Sequence, residues 1–240
     1  AHAGANQMGV VAAGPNGAND DEDTVRQEYH DVFGYVGSGD LLAVAHKSSA
    51  DVAAYIAGQL AVNDPWFDPF YDGDGYPFNT GFYQDAQVGD PATAGTFEGG
   101  DSENQEGPVN VLINKAGTLV LSNSITTAGS SSNYQYFDVA MTQNYIASEI
   151  ERVLESLRLR VDQIPFSKAG QTQIRSTIVD VLSANTGGSG NPLSDFTVTV
   201  PPIAQLSDNQ KANRVWGNIQ IDATLAGNVH SFSMELVVSV

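Results

Sequence analysis

Hydrophobic and polar positions along this chain follow two different periods, and the change from one to the other separates its parts. From Asp138 to Val161 (DVAMTQNYIASEIERVLESLRLRV) the apolar residues Ile146, Ile150, Val153, Leu154, Leu157 and Val161 recur at steps of three and four. That spacing predicts an α-helix with one apolar stripe, and it sets Ser148, Glu151, Arg152, Glu155 and Arg158 on the other side. A helix of this length extends roughly 30 Å or more. Ile164-Pro165-Phe166 then breaks the pattern, and Ser167 is placed to cap a second helix whose Ile174, Ile178, Val181 and Leu182 face one way. The run Asn185–Gly190 (NTGGSG) ends it.

After that the period drops to two. Phe196–Val200 (FTVTV) is a predicted strand, stopped by Pro201-Pro202. Ile219, Ile221 and Ala223 alternate with Gln220, Asp222 and Thr224, and Ala226-Gly227-Asn228 turns the chain back. Phe232, Met234, Leu236, Val238 and Val240 alternate to the last residue. Two helices followed by three strands predict an α+β layer with an antiparallel sheet.

The first half is less regular. Leu41–Ala45 (LLAVA) predicts a short buried strand. Val52, Tyr55, Ile56 and Leu60 form a helical stripe from a cap at Ser48 or Ser49 to Asn63-Asp64-Pro65. A strand feeding a helix gives this part an α/β character. Residues 1–24 are read as a loop or arm ending in the acidic run 20–23. Residues 65–107 are read as a long loop pinned by Trp66, Phe67, Phe70, Tyr71, Phe78, Phe82 and Tyr83, because repeated Pro and Gly exclude a long regular element. Val109–Ile113 and Thr118–Leu121 predict a hairpin joined at residues 114–117, and Ser130–Asn133 a polar hinge before the long helix. The chain is thus expected to divide into an acidic, loop-rich portion, 1–109, and a helix-and-sheet portion, 110–240.

With 240 residues there is room for one large or two modest domains with a true core. No apolar run approaches the ~20 residues that cross a bilayer. The chain does not begin with Met, and AHAGANQMGV lacks the basic and apolar regions of a signal peptide, so it is read as processed or as part of something longer. Without Cys there is no disulfide or thiolate chemistry. The net charge is −18, and residues 1–110 hold 18 acidic against 2 basic side chains. Such a surface repels phosphates and anionic lipid, which argues against direct nucleic-acid contact and membrane insertion. Nineteen Asp, nine Glu and only four Lys point to adaptation to high salt, where screening acts over ~3 Å at 1 M.

Candidate chemistry is sparse. Asp72-Gly-Asp74-Gly resembles the start of a Ca²⁺ loop, but no ligand follows at EF-hand spacing, so Asp72 and Asp74 are weak metal candidates and an acidic turn is preferred. His2, His30, His46 and His230 have no zinc-site spacing, and there is no G-x-S-x-G elbow. The Gly187-Gly188-Ser189-Gly190 run follows a helix and precedes a strand, the reverse of a phosphate cradle. The aromatic cluster at 66–83 suits a loop pin better than a sugar site. No catalytic residue, cofactor or enzyme activity is predicted.

Two features lean toward assembly. The last strand has a regular apolar face, suited either to its own sheet or to a neighbour's open edge. Arg152, Arg158 and Arg160 stand on the long helix of a cation-poor chain. They either pair with Glu149, Glu151 and Glu155 or dock on an acidic partner. Arg158 and Arg160 also suit the macrodipole of the helix C-terminus.

From Asn110 to Val240 the sequence resembles the C-terminal region of contractile-tail sheath proteins of tailed viruses. The matching order is VNVLINKAGTLVLSNSITTAG, then YQYFDVAMTQNYIASEIERVLESLRLRV, IPFSKAGQTQIRSTIVDVL, a Gly-rich turn, VTVPP, and SDNQKANRVWGNIQIDATLAGNVHSFSMELVV. It covers about 130 residues, and residues 1–109 match less well. The resemblance implies a structural subunit that polymerises as rings or a helix around an inner tail tube and contracts to drive the tube through the host envelope. Implied partners are further copies of the chain, the tube protein, the baseplate and the tail terminator. The implied location is a virion tail assembled in host cytoplasm. Carried over by position, Arg152, Glu155, Arg158 and Arg160 face the tube. Met234, Leu236, Val238 and Val240 lie in a strand arm donated to a neighbour. Residues 1–109 face outward, and the Asp-rich composition adds a haloarchaeal virus or related injection device. The competing readings are another virion protein (tube, baseplate or capsid) and a halophilic secreted carbohydrate-binding protein.

Overall fold

A computed structural model describes residues 9–13, 41–45, 49–69, 77, 110–115, 118–121, 124–128, 134–161, 163–188 and 190–227. Two compact units divide at Met141/Thr142, inside the long helix, rather than at the change of composition near residue 109. The reason lies in strand pairing, because the hairpin after residue 109 joins the sheet of the first unit.

That first unit contains β1 (Gly9–Ala13), β2 (Leu41–Ala45), α1 (Ser49–Val62), β3 (Asn110–Lys115), β4 (Thr118–Leu121) and the first turn of α2 (Phe137–Arg160). The sheet order is β1-β2-β3-β4, with β1, β2 and β3 parallel and β4 antiparallel to β3. A parallel β2–β3 pair needs a crossover, and α1 lies within it, as the strand-then-helix reading of the sequence expects. Leu42, Ala43 and Val44 are all fully buried, the mark of a central strand covered on both faces. Leu42 and Val44 pack with Val52 and Ile56 of α1, Leu112, Leu121 and Phe137, while Tyr55 and Leu60 line the edge of this core. Asn63 closes α1, donating from Nδ2 to the Gln59 carbonyl at 2.9 Å.

Residues 1–24 are not wholly a loop or arm. Gly9–Ala13 forms β1, in parallel register with β2 from Gly9↔Leu41 to Ala13↔Ala45. Five residues of GVVAA are too few to show a period, so this strand exists through its partner.

The edge of β2 is shared. Its end pairs with β3 at Val44↔Asn110 and Ala45↔Val111, while Leu42 bridges Thr126 in the antiparallel sense. Asn110, fully buried, fills the handover between them. Its Nδ2 donates to the carbonyls of Ala43 at 2.9 Å and Ile125 at 2.7 Å, and its Oδ1 accepts from the Ile125 amide at 2.9 Å. The side-chain amide thus does what a peptide group would do in the ladder.

The second unit, Thr142–Gly227, contains the rest of α2, α3 (Lys168–Ala184), β5 (Leu193–Thr199), a 3₁₀ turn (Ile203–Gln205), α4 (Asp208–Ala212) and β6 (Gln220–Leu225). The expected stripe of α2 is its inner face: Ile146, Ile150 and Leu157 are buried. On α3 the buried residues are Gly170, Ile174, Ile178 and Leu182, spaced four apart. Ser167 caps α3 as expected, its Oγ accepting from the Gly170 amide at 3.3 Å.

Strand β5 begins at Leu193, three residues before the Phe196 predicted. It pairs antiparallel with β6, with a register irregularity between Leu193 and Asp195. Leu193, Val198 and Val200 close the core over α2 and α3. The far edge of β5 is covered by α3 side chains: Gln171 Nε2 donates to the Val200 carbonyl at 2.7 Å and Arg175 Nε to that of Val198 at 3.4 Å. The whole is α+β, with a mixed sheet in one unit and an antiparallel pair in the other.

Candidate functional site

The outward face of α2 carries the polar residues that the sequence singled out. It forms because the apolar stripe turns inward onto α3 and β5, which leaves Glu151, Arg152, Glu155, Arg158 and Arg160 exposed. Arg152 grips Glu149 one turn back, through Nη2 to Oε2 at 2.6 Å and Nε to Oε1 at 3.0 Å. Arg158 pairs with Glu155 at 2.7 Å, with both side chains more than half exposed. Arg160 differs. Its Nε donates to the Ser156 carbonyl at 3.3 Å in the last turn, where the helix dipole favours a cation.

Three Arg face three Glu along Glu149–Arg160, so this face carries no net charge. The pairing alternative raised by the sequence holds for Arg152 and Arg158, whose partners are Glu149 and Glu155. Among the described residues Glu151 forms no ion pair. The Arg152 hydrogen bond holds the Glu149 carboxyl below its ordinary pKa, with burial opposing and the Arg152 charge assisting. Exposed pairs of this kind contribute only about 0.3–0.5 kcal/mol. A partner surface can therefore take over either member at little cost.

Sequence reasoning missed Leu159, which stands 80% exposed between Arg158 and Arg160. Its signal was present, since it lies off the stripe formed by Leu154, Leu157 and Val161. It also missed the stack of Phe166 on Trp216, with ring centroids 5.5 Å apart and planes inclined by 17°. These residues are 50 positions apart, and only the fold joins them.

Met234, Leu236, Val238 and Val240, and the weak metal candidates Asp72 and Asp74, lie outside the described residues. Of the aromatic loop, Trp66 and Phe67 are half-buried just after α1, and Phe70, Tyr71, Phe78, Phe82 and Tyr83 lie outside the described residues. Among the described residues no cluster of three His, Asp or Glu is placed to hold a metal, and no helix is long and apolar enough to cross a membrane. The arrangement on α2 joins no nucleophile to a base. It is an exposed face of balanced charge with one apolar knob at Leu159.

No protein-family model and no curated protein sequence matches the chain. Solved structures do match in fold. A chain of the PVC sheath complex, an extracellular contractile injection system in its contracted state, superposes with a TM-score of 0.65 at 12% identity, over 96% of this chain and 64% of that one. A chain of the six-fold symmetrised anti-feeding prophage baseplate gives a TM-score of 0.59 at 14% identity, over 96% and 60%. A chain of the anti-feeding prophage helical sheath, contracted, gives 0.57 at 13% identity, over 94% and 60%. This chain therefore shares the fold of these chains and spans about three fifths of their length.

Proposed function

We propose that this chain is a structural subunit of a contractile sheath, which polymerises around an inner tube and drives it forward by contracting. The observation that carries the reading is the fold likeness to the chain of a contracted injection-system sheath, over 96% of this chain. The stored free energy of such a lattice is the difference in contact between two packings of the same subunit, so an architectural role needs no catalytic group.

In this reading Arg152, Glu155, Arg158 and Arg160 face the tube, and the weak ion pairs along α2 exchange partners there. Met234–Val240 is the strand arm that links neighbours. Residues 1–109 face outward, their charge suited to brine. The sheath belongs to a virion tail or an injection particle assembled in a host cytoplasm, with baseplate and terminator at its ends and a haloarchaeal host.

Electron microscopy of the purified chain tests the proposal: rings or tubes are expected, and discrete monomers at every salt concentration would overturn it. Deleting Leu236–Val240 should abolish polymers and leave a folded subunit. A baseplate component is the second reading, favoured by the similar chain in a baseplate structure. It predicts closed rings that never extend into tubes.

A further inference from the structure

We infer that the exposed face of α2 packs antiparallel against the same face of a second copy of this chain, closing the free subunit as a pair before any sheath forms. The pairing goes beyond the sheath reading, and its role as a resting state rests on that reading.

Ser148, Arg152, Glu155 and Leu159 follow one another at steps of four, three and four, and all of them are exposed. That is the spacing of a seam along which two helices lie side by side. Leu159, 80% exposed, is the seam's apolar side chain, and Ser148 at the other end is its smallest. In an antiparallel pair each Leu159 comes over Ser148 of the second copy, where there is room for it.

Charge at the face itself selects the second copy and its direction. Glu149, Glu151 and Arg152 sum to −1, and Glu155, Arg158 and Arg160 sum to +1. A parallel pair sets like against like, whereas an antiparallel pair sets each end against its opposite. The match extends to single residues. With Leu159 over Ser148, the two-fold axis falls midway between Arg152 and Glu155, so each meets the other across the seam. At helical spacing Glu151 and Arg158 flank the seam on one side, Glu149 and Arg160 on the other. The axis brings each flank against itself in reverse, so Glu151 meets Arg158 and Glu149 meets Arg160. Within one copy Arg152 and Arg158 pair with Glu149 and Glu155, and among the described residues neither Glu151 nor Arg160 forms an ion pair. The second copy supplies a partner for both.

The net charge of −18 opposes contact between copies. At about 0.15 M salt it is screened beyond ~8 Å, while charges brought together and partly buried are screened much less. One helix face is smaller than the ~1,600 Å² of a standard interface, so the pair is weak and exchangeable. A patch that meets itself closes and cannot propagate. It also covers the side chains that the sheath reading turns to the tube, so tube and second copy compete for one face.

The chain has no Cys, so two variants of the full chain, Ser148→Cys and Leu159→Cys, report the contact by disulfide formation below the concentration of assembly. Mixed, they should link to each other, and neither should link to itself. No link in the mixture, or links within either variant alone, would overturn the pairing. Analytical ultracentrifugation gives a second readout. Glu151→Arg and Arg158→Glu should each weaken self-pairing about tenfold, and their equimolar mixture should pair as the wild type does. A mixture no stronger than its components would refute the register, since mixing does not repair a folding defect. The disulfide-linked pair should form no rings or tubes until it is reduced; polymers of the linked pair would overturn the resting role. Wild-type tubes without any cysteine link sink this inference and leave the sheath reading standing. A link with no polymer at any salt upholds the contact and overturns the sheath reading together with the resting role.

Discussion

Asn110 shows how much one side chain can decide. Its three hydrogen bonds satisfy the Ala43 carbonyl and both backbone groups of Ile125 in a fully buried place. Asn110→Ala should cost on the order of 3 kcal/mol, because buried groups left without partners lose their full solvation. Chemical denaturation, followed by a probe in the first unit, measures it. Gly170 is decided by space. A Cβ there would collide with the backbone carbonyl oxygen of Pro165. Ala in place of Gly inside a helix gains about 1 kcal/mol from propensity, but overpacking against backbone costs about 1–3 kcal/mol. The clash wins, and Gly170→Ala should lower the melting temperature. Glu149 gives the pH test. Its folded pKa is depressed by Arg152, so the pair contributes stability above the ordinary carboxylate range and loses it as pH falls through the folded value. An NMR titration of the side-chain carboxyl should show that lowered midpoint, and Arg152→Gln should return it toward the ordinary value.

The elements differ in how far local sequence determines them. α3 starts where Ser167 supplies an acceptor, and its four buried residues share one stripe. Ser167→Ala should cost about 1 kcal/mol, read as a drop in the denaturant midpoint with unchanged slope. α2 was legible for the same reason: a 24-residue helix repeats its apolar spacing often enough to be unmistakable. β1 was not, since a strand of GVVAA is specified by hydrogen bonds to β2, some 30 residues on. The start of β5 at Leu193 was also hidden, because it depends on pairing with the distant Leu225 of β6 and on a register irregularity. Strand limits set by partners do not appear in local periodicity.

Across the molecule the units differ in charge. Residues 1–141 carry 19 acidic and 3 basic side chains, and residues 142–227 are nearly neutral. Raising salt from about 0.1 to about 1 M shrinks the screening length from ~10 to ~3 Å. Hydrogen exchange should then show protection rising in the β1–β4 sheet far more than in the β5–β6 pair. Equal gains in both would argue against self-repulsion as the burden that salt relieves.

By itself, the sequence determined what repeats or sums: the helical stripes of α1, α2 and α3, the cap at Ser167 and the uneven charge. These are properties of neighbours three or four residues apart, or of totals. Tertiary structure alone decided what needs two distant residues at one point. It set the parallel register of β1, the buried amide of Asn110 between β2 and Ile125, and the choice of Glu149 over Glu151 by Arg152. It also stacked Phe166 on Trp216. Pairing over such separations depends on where the backbone returns in space, and no local pattern of residue types encodes that.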